Sequence, residues 1–108
     1  MHEKQTCMAF FIFKNMSFKN LPNKKTIHKT GIQYLVFYPN GYGASIVQHH
    51  FSYGGDAGFW ELAVILGNEE EWSICYSTPI TTDVMGWLTE SEVDDLLNQI
   101  KKLETWKN

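Results

Sequence analysis

The adjacent histidines His49-His50, with Asp56 downstream and His28 upstream, are the residues of this chain whose types come closest to a metal site. Imidazole nitrogens and carboxylate oxygens are ordinary ligands, but neighbouring residues on a strand point to opposite faces, so the two rings do not converge. No Cys or His pair has the spacing of a zinc site, and no metal is expected. Two glycine-rich stretches, Gly41-Tyr42-Gly43 and Gly54-Gly55-Asp56-Ala57-Gly58, offer backbone N–H groups to a phosphate. A phosphate loop follows a strand and opens a helix bearing Lys-Ser/Thr, which neither stretch does, so turn chemistry is the expectation. The serines (17, 45, 52, 73, 77, 91) lie in no nucleophile-elbow pattern. Cys75 is expected on a strand, buried, where a thiol is inert. Glu61 and Asp83 become a carboxylate pair only if folding happens to join them. We expect neither an enzyme nor a cofactor.

Binding has more to work with. Aromatic residues make up 15% of the chain, with four Trp, five Tyr and seven Phe, and large flat side chains favour β-rich cores and binding surfaces. The Tyr53–Phe59 loop is expected to act as a mobile flap. Beside it we expect a pocket lined by Tyr42, Tyr53, Phe59 and Trp60, with Asp56 in the loop; such aromatic rims recognise planar ligands or protein partners.

Charge adds a second candidate surface. The net charge is −3, but residues 1–30 hold six lysines against Glu3 alone, and residues 31–108 hold three lysines against eleven acids. Glu90, Glu92, Asp94 and Asp95 complement the positive end of a helix. Glu69-Glu70-Glu71 has no such explanation and is a candidate acidic partner surface, able to imitate a nucleic-acid backbone. Direct nucleic-acid binding is disfavoured by the acidity of residues 31–108, because phosphate contacts dominate that affinity. The basic residues 8–29 are the only place for it.

The elements that must position these residues read as α+β. Gly31–Tyr38 is rich in β-branched and aromatic residues and ends at Pro39-Asn40-Gly41, the strongest short hairpin signal because Asn and Gly both tolerate φ > 0. Gly43 follows, which predicts a bulge in that turn. Ala44–His49 is the return strand, Trp60–Leu66 the third, and Trp72–Tyr76 the fourth after a turn at Gly67–Glu70. Trp60, Leu62, Val64 and Leu66 are expected to share a face that meets Trp72, Ile74 and Tyr76 across the hairpin. Thr78–Thr82 leads on toward the last element. Leu88-Thr89-Glu90-Ser91-Glu92-Val93 has the form of a helix start, with Thr89 as N-cap, Glu92 in the capping box, and Leu88 and Val93 as the hydrophobic staple. Lys101 and Lys102 suit its last turn. Val93, Leu96, Leu97, Ile100 and Leu103 form one apolar stripe. The expected fold is an antiparallel β-meander of about four strands packed against one C-terminal amphipathic helix, with residues 31–108 as a single domain. A four-strand meander leaves edges that need covering, so a homodimer is a further expectation.

Residues 1–30 read differently. An extra strand is expected over residues 8–14, around the apolar run Met8–Phe13, and Asn15–Thr30 as a mobile connector. Met8 or Met16 offers an internal start. The run Cys7–Phe13 is too short for a secretory leader and is not followed by a small-residue cleavage site. Nothing approaches the ~20 apolar residues of a membrane span. With two cysteines and no leader, a reducing intracellular compartment is expected.

The pattern Phe37-Tyr38-Pro39-Asn40-Gly41-Tyr42-Gly43, Gly54-Gly55, Gly58, Trp60-Glu61-Leu62-Ala63-Val64, Cys75-Tyr76-Ser77-Thr78-Pro79-Ile80-Thr81, Asp83-Val84 and Glu92-Val93 resembles a group of small bacteriophage- and prophage-encoded proteins of unknown function. The resemblance spans about residues 32–103 and assigns no activity or catalytic residue. It implies a host-cytoplasm setting and a viral accessory protein that binds and inhibits or modulates one host protein, as counter-defence factors of the anti-CRISPR or anti-restriction type do. The alternative expectation, from the aromatic rim and the 53–59 loop, is a module that binds a nucleotide-like small molecule.

Overall fold

The computed structural model describes residues 17–21, 24–81 and 83–106. Within them an antiparallel sheet of six strands carries one helix. In chain order the strands are β1 (Lys24–His28), β2 (Gly31–Phe37), β3 (Tyr42–His49), β4 (Trp60–Gly67), β5 (Trp72–Ile74) and β6 (Met85–Leu88), and the helix α1 spans Glu90–Lys101. Strands β1 to β5 lie side by side in order, and β6 returns to pair with β4. Because β3 holds the other edge of β4, β5 and β6 share one edge, β5 at Ile65–Gly67 and β6 at Trp60–Leu62. This is the expected α+β meander closed by a C-terminal helix, with two strands more than the four read from the sequence.

The core forms where the helix stripe meets one face of the sheet. Val93, Leu96, Leu97 and Ile100 are buried against Tyr34 and Val36 of β2, Ala44 and Ile46 of β3, and Leu62 and Val64 of β4. Burying each such side chain stabilises the fold by about 1.5–3 kcal/mol before entropy is subtracted. Leu103 lies beyond the end of α1 and packs against the same cluster. The helix start follows its sequence: Thr89 Oγ1 accepts from Glu92 N at 3.2 Å, and Glu92 Oε1 accepts from Thr89 N at 3.0 Å. Two orphan N–H groups are thereby satisfied.

The helix end is closed by a residue sixty positions away. Asn40 is buried, and its Nδ2 donates toward the carbonyls of Ile100 (3.0 Å), Lys101 (3.3 Å) and Leu103 (3.0 Å), while its Oδ1 accepts from Tyr42 N (3.0 Å). One amide thus satisfies carbonyls that every helix leaves unpaired. Asn40 occupies the loop Pro39-Asn40-Gly41, closed by Tyr38 N donating to Tyr42 O at 2.8 Å. Only Gly41 adopts the left-handed conformation there, at φ 89°. The special residue of this turn is therefore Gly41, while Gly43 lies within β3 paired with Phe37.

Three expectations need correction. The boundary at residue 30 fails for the described part of the leading segment. Lys24–His28 pairs with β2 through a tight turn at Lys29-Thr30, so this stretch is sheet rather than connector. A 3-10 turn at Phe18–Asn20 places Phe18 wholly inside the core. The strand expected over residues 8–14 lies outside the described residues. Second, the rows of β4 and β5 do not meet as expected. The turn pairs Gly67 with Trp72 and Ile65 with Ile74, so the core face of β4 at Val64 meets Cys75, whose N–H donates to Val64 O at 2.8 Å. Ile74 and Tyr76 are exposed instead. Third, Met85–Leu88 is a strand that the sequence did not signal.

Among the described residues no helix is long and apolar enough to cross a membrane.

Candidate functional site

Expected rim residues separate to opposite ends of β3. Tyr42 opens this strand and stacks edge-on against Trp106 at 6.2 Å, and the loop holding Tyr53, Asp56 and Phe59 follows its far end. Seven residue steps of extended chain put about 23 Å between the two ends. Trp60 leaves the rim altogether. It is buried, with Phe18 at 5.1 Å and Tyr34 at 5.9 Å in edge-on contacts. Its side chain belongs to the row that α1 covers, and Phe18 closes over it from the segment expected to be a connector.

What remains at the loop is a different aromatic cluster. Phe51 is 84% exposed, Tyr53 62% and Trp87 61%, and Phe59 packs on Trp87 with ring centroids 5.8 Å apart. A shallow hollow of about 280 Å³ opens between Ser52, Tyr53, Gly54, Asp56, Ala57 and Trp87.

Trp87 reaches the surface through a fault in the sheet. Trp60 pairs with Leu88 and Leu62 with Met85, so Gly86 and Trp87 together oppose the single residue Glu61. That is a β-bulge, a device that bends a strand and re-aims a side chain. Trp87 takes φ 56°, and no other non-glycine residue described has a positive φ. For a bulky residue this conformation costs on the order of 1–3 kcal/mol. The surroundings hold it there. Trp87 N donates to Tyr53 O at 3.0 Å, and a Cβ built on Gly86 would come within 2.3 Å of Tyr53 Cβ. Gly54, at φ 89°, brings the loop beneath the Trp87 ring, where a Cβ would meet Trp87 Cδ2 at 3.0 Å.

Hydrogen bonds knit the loop that was expected to act as a flap. Ser52, itself buried, accepts from His49 N (2.9 Å) and donates to His49 O (2.8 Å) through one hydroxyl. Phe59 N donates to Gly54 O at 2.9 Å, Gln48 Nε2 to Phe59 O at 3.4 Å, and Tyr53 N to Glu61 Oε1 at 3.3 Å. The two histidines diverge in role. His49 Nδ1 accepts from Phe51 N at 3.1 Å, while His50 Nδ1 meets Asp56 Oδ1 at 2.7 Å. Among the described residues no three His, Cys, Asp or Glu side chains converge as metal ligands would. Cys75 is buried as expected, with Sγ 3.6 Å from Ser77 Oγ. Glu61 bonds Tyr53 N and Asp83 bonds Val84 N; neither bonds the other.

The acidic triplet Glu69, Glu70 and Glu71 is exposed on the β4–β5 turn, where Asn68 Oδ1 accepts from Glu70 N and Glu71 N at 2.9 and 3.0 Å. Gly67 N donates to Gly41 O, so this turn lies at the Tyr42 end of the sheet, away from the aromatic cluster. The two candidate surfaces are therefore separate.

Sequence reasoning found Tyr53, Asp56 and Phe59 and missed Phe51 and Trp87. The adjacent pair Gly86-Trp87 was the available signal, since glycine inside a strand marks a bulge or a close backbone approach. Compared with protein-family models, curated proteins and solved structures, the chain matches none.

Proposed function

We propose that this is an interaction protein, phage-encoded in keeping with the resemblance, which binds a host protein through Phe51, Tyr53, Phe59 and Trp87 and so inhibits or modulates it. A counter-defence role in the host cytoplasm is the setting that the resemblance implies. The observation that carries the binding reading is Trp87, a large apolar ring held in solvent by a backbone conformation that costs stability. Its ring packs on Phe59 yet stays 61% exposed, more than internal packing requires. Exposed Trp and Tyr are the commonest hot-spot residues of protein interfaces, and strained backbone gathers where function requires it.

The hollow beneath Trp87 favours a second reading, a planar small ligand laid against the ring. Its volume falls below the ~300–1,000 Å³ of ordinary ligand pockets, which places this second. The two separate by native mass spectrometry and by quantitative pull-down from bacterial host lysate, each run on the wild type and on Trp87→Gly. A stoichiometric protein lost from the variant supports the interaction reading. A retained small molecule supports the ligand reading. Partner capture equal in wild type and variant would overturn both as placed at this site.

A further inference from the structure

Resting on the binding reading above, we infer that the aromatic cluster takes a basic segment of its partner, and that an arginine side chain stacks on Trp87 while pairing with Asp56. Charge begins the argument. No lysine or arginine occurs anywhere between Lys29 and Lys101, a stretch that carries ten carboxylates, and the whole chain has no arginine. Two of these carboxylates, Asp56 and Glu61, stand at the cluster and attract a cation, while Lys29, on the β1–β2 turn whose Thr30 O accepts from His50 N, is the lysine at that end of the sheet.

Geometry then narrows the ligand. Asp56 lines the hollow beside Tyr53 and Trp87, and its side chain is 70% exposed. One carboxylate oxygen meets His50; among the described residues the other has no hydrogen-bond partner. Glu61, directly opposite the bulge, supplies a second carboxylate at the Tyr53 backbone. An aromatic face next to a carboxylate is a combination that a guanidinium fits better than other side chains. Its planar fork bonds carboxylate oxygens while its face lies on the indole. An ammonium does the first as a point charge and lacks the flat surface for the second. A neutral planar ligand gains the stacking and wastes the charge. The acidic turn at Glu69–Glu71 lies at the Tyr42 end of the sheet, away from Trp87 and Asp56, so it takes no part in this recognition.

The test uses three synthetic peptides on the full chain: Gly-Arg-Gly-Arg-Gly, its lysine counterpart, and its citrulline counterpart, which keeps the planar shape and removes the charge. Binding is followed by NMR shifts of backbone amides and Trp indole protons. The expected order is arginine, then lysine, then citrulline, with shifts at residues 51–59 and 86–88. Asp56→Asn should weaken the arginine peptide by about ten-fold or more, the range of a lost charge-assisted hydrogen bond, and leave citrulline binding unchanged. Equal binding of the arginine and citrulline peptides would overturn the inference. So would shifts confined to residues 68–72, or arginine binding that survives Trp87→Gly. If Trp87→Gly abolishes capture of the host partner while no peptide binds the wild type, the arginine inference falls and the interaction reading stands. Thermal melts of both variants confirm that each is folded.

Discussion

Two tryptophans on paired strands, Trp60 on β4 and Trp87 on β6, meet opposite fates. Trp60 is buried, edge-on to Phe18 and Tyr34, whose own rings are 5.2 Å apart in a third edge-on contact. Trp87 precedes Leu88, the residue paired with Trp60, yet it is largely in solvent with Phe59 as its ring neighbour. Residue type is the same in both. The difference is backbone. A regular ladder keeps Trp60 in the row beneath α1, and one extra residue in β6 throws Trp87 out of any row. Burial is thus a property of register more than of hydrophobicity, and the exposed ring marks where the fold gives up packing.

The largest expected effect comes from breaking the buried group. Phe18→Ala should cost about 3–5 kcal/mol, the range for aromatic truncation in a core, read as a fall in the urea midpoint. Partner capture per folded molecule should not change. A loss under about 1 kcal/mol would mean that the segment 17–21 is not part of the core. Next, Asn40→Ala should cost about 1–3 kcal/mol by leaving helix carbonyls unsatisfied in a buried setting. It should act on stability alone, because it lies at the end of β3 remote from the loop. Trp87→Gly should reverse the pattern. Glycine adopts the positive φ without strain, so the stability change should stay within about 1 kcal/mol while capture is lost. A large destabilisation there would make Trp87 a structural residue and dissolve the contrast.

The smallest effects concern pH, and they sharpen how the buried group is tied down. Ser17 Oγ donates to Glu90 Oε1 at 2.6 Å, Lys19 Nζ lies 3.2 Å from the same oxygen, and Phe18 N donates to Asp94 Oδ1 at 2.9 Å. The Ser17 hydroxyl holds the Glu90 carboxyl below its ordinary range, with Lys19 adding to it. This contribution is present above the unfolded pKa and is lost as pH falls through the folded one. Asp94 runs the other way. Partial burial raises it, so its contribution is present below the unfolded pKa and lost as pH rises through the folded value. On acidification from neutral, the melting temperature should rise slightly and then fall, and Ser17→Ala should blunt the fall. A melt that is flat across the carboxylate range would remove this tie. At the alkaline end Tyr38 is pushed up to about 12 by burial, with Asp94 adding to it. Stability should decline from pH 10 toward 12, and less so in Tyr38→Phe.

What could be read in advance divides along the same line between local and distant causes. The capping box at Thr89 and Glu92, the stripe from Val93 to Ile100 and the Asn40-Gly41 hairpin are local patterns, and each stands in the structure. Ser17 and the buried Phe18 are tied to Glu90 and Asp94 more than seventy residues away, and no periodicity in the chain announces it. The β4–β5 register departs from the expected one because turn length sets it rather than the rows of large side chains, and a shift of one residue exchanges the faces. The Lys24–His28 strand holds two lysines and lacks a clean alternation. Met85–Leu88 is four residues long and interrupted by Gly86, which weakens a strand pattern even as it hints at a bulge. The candidate site was legible in its loop and illegible in its anchor for that reason.

The tie between Phe18 and α1 also governs the order of events during synthesis. Ser17 and Phe18 find their partners on α1 73 and 76 positions later in the chain, so the segment 17–21 emerges from the ribosome long before Glu90 and Asp94 exist to receive it. Elongation at ~5–20 residues per second leaves that phenylalanine waiting for seconds, because the helix that covers the sheet is made after every described strand. Hairpins can zip as they appear; the core cannot close until residues 90–101 are free.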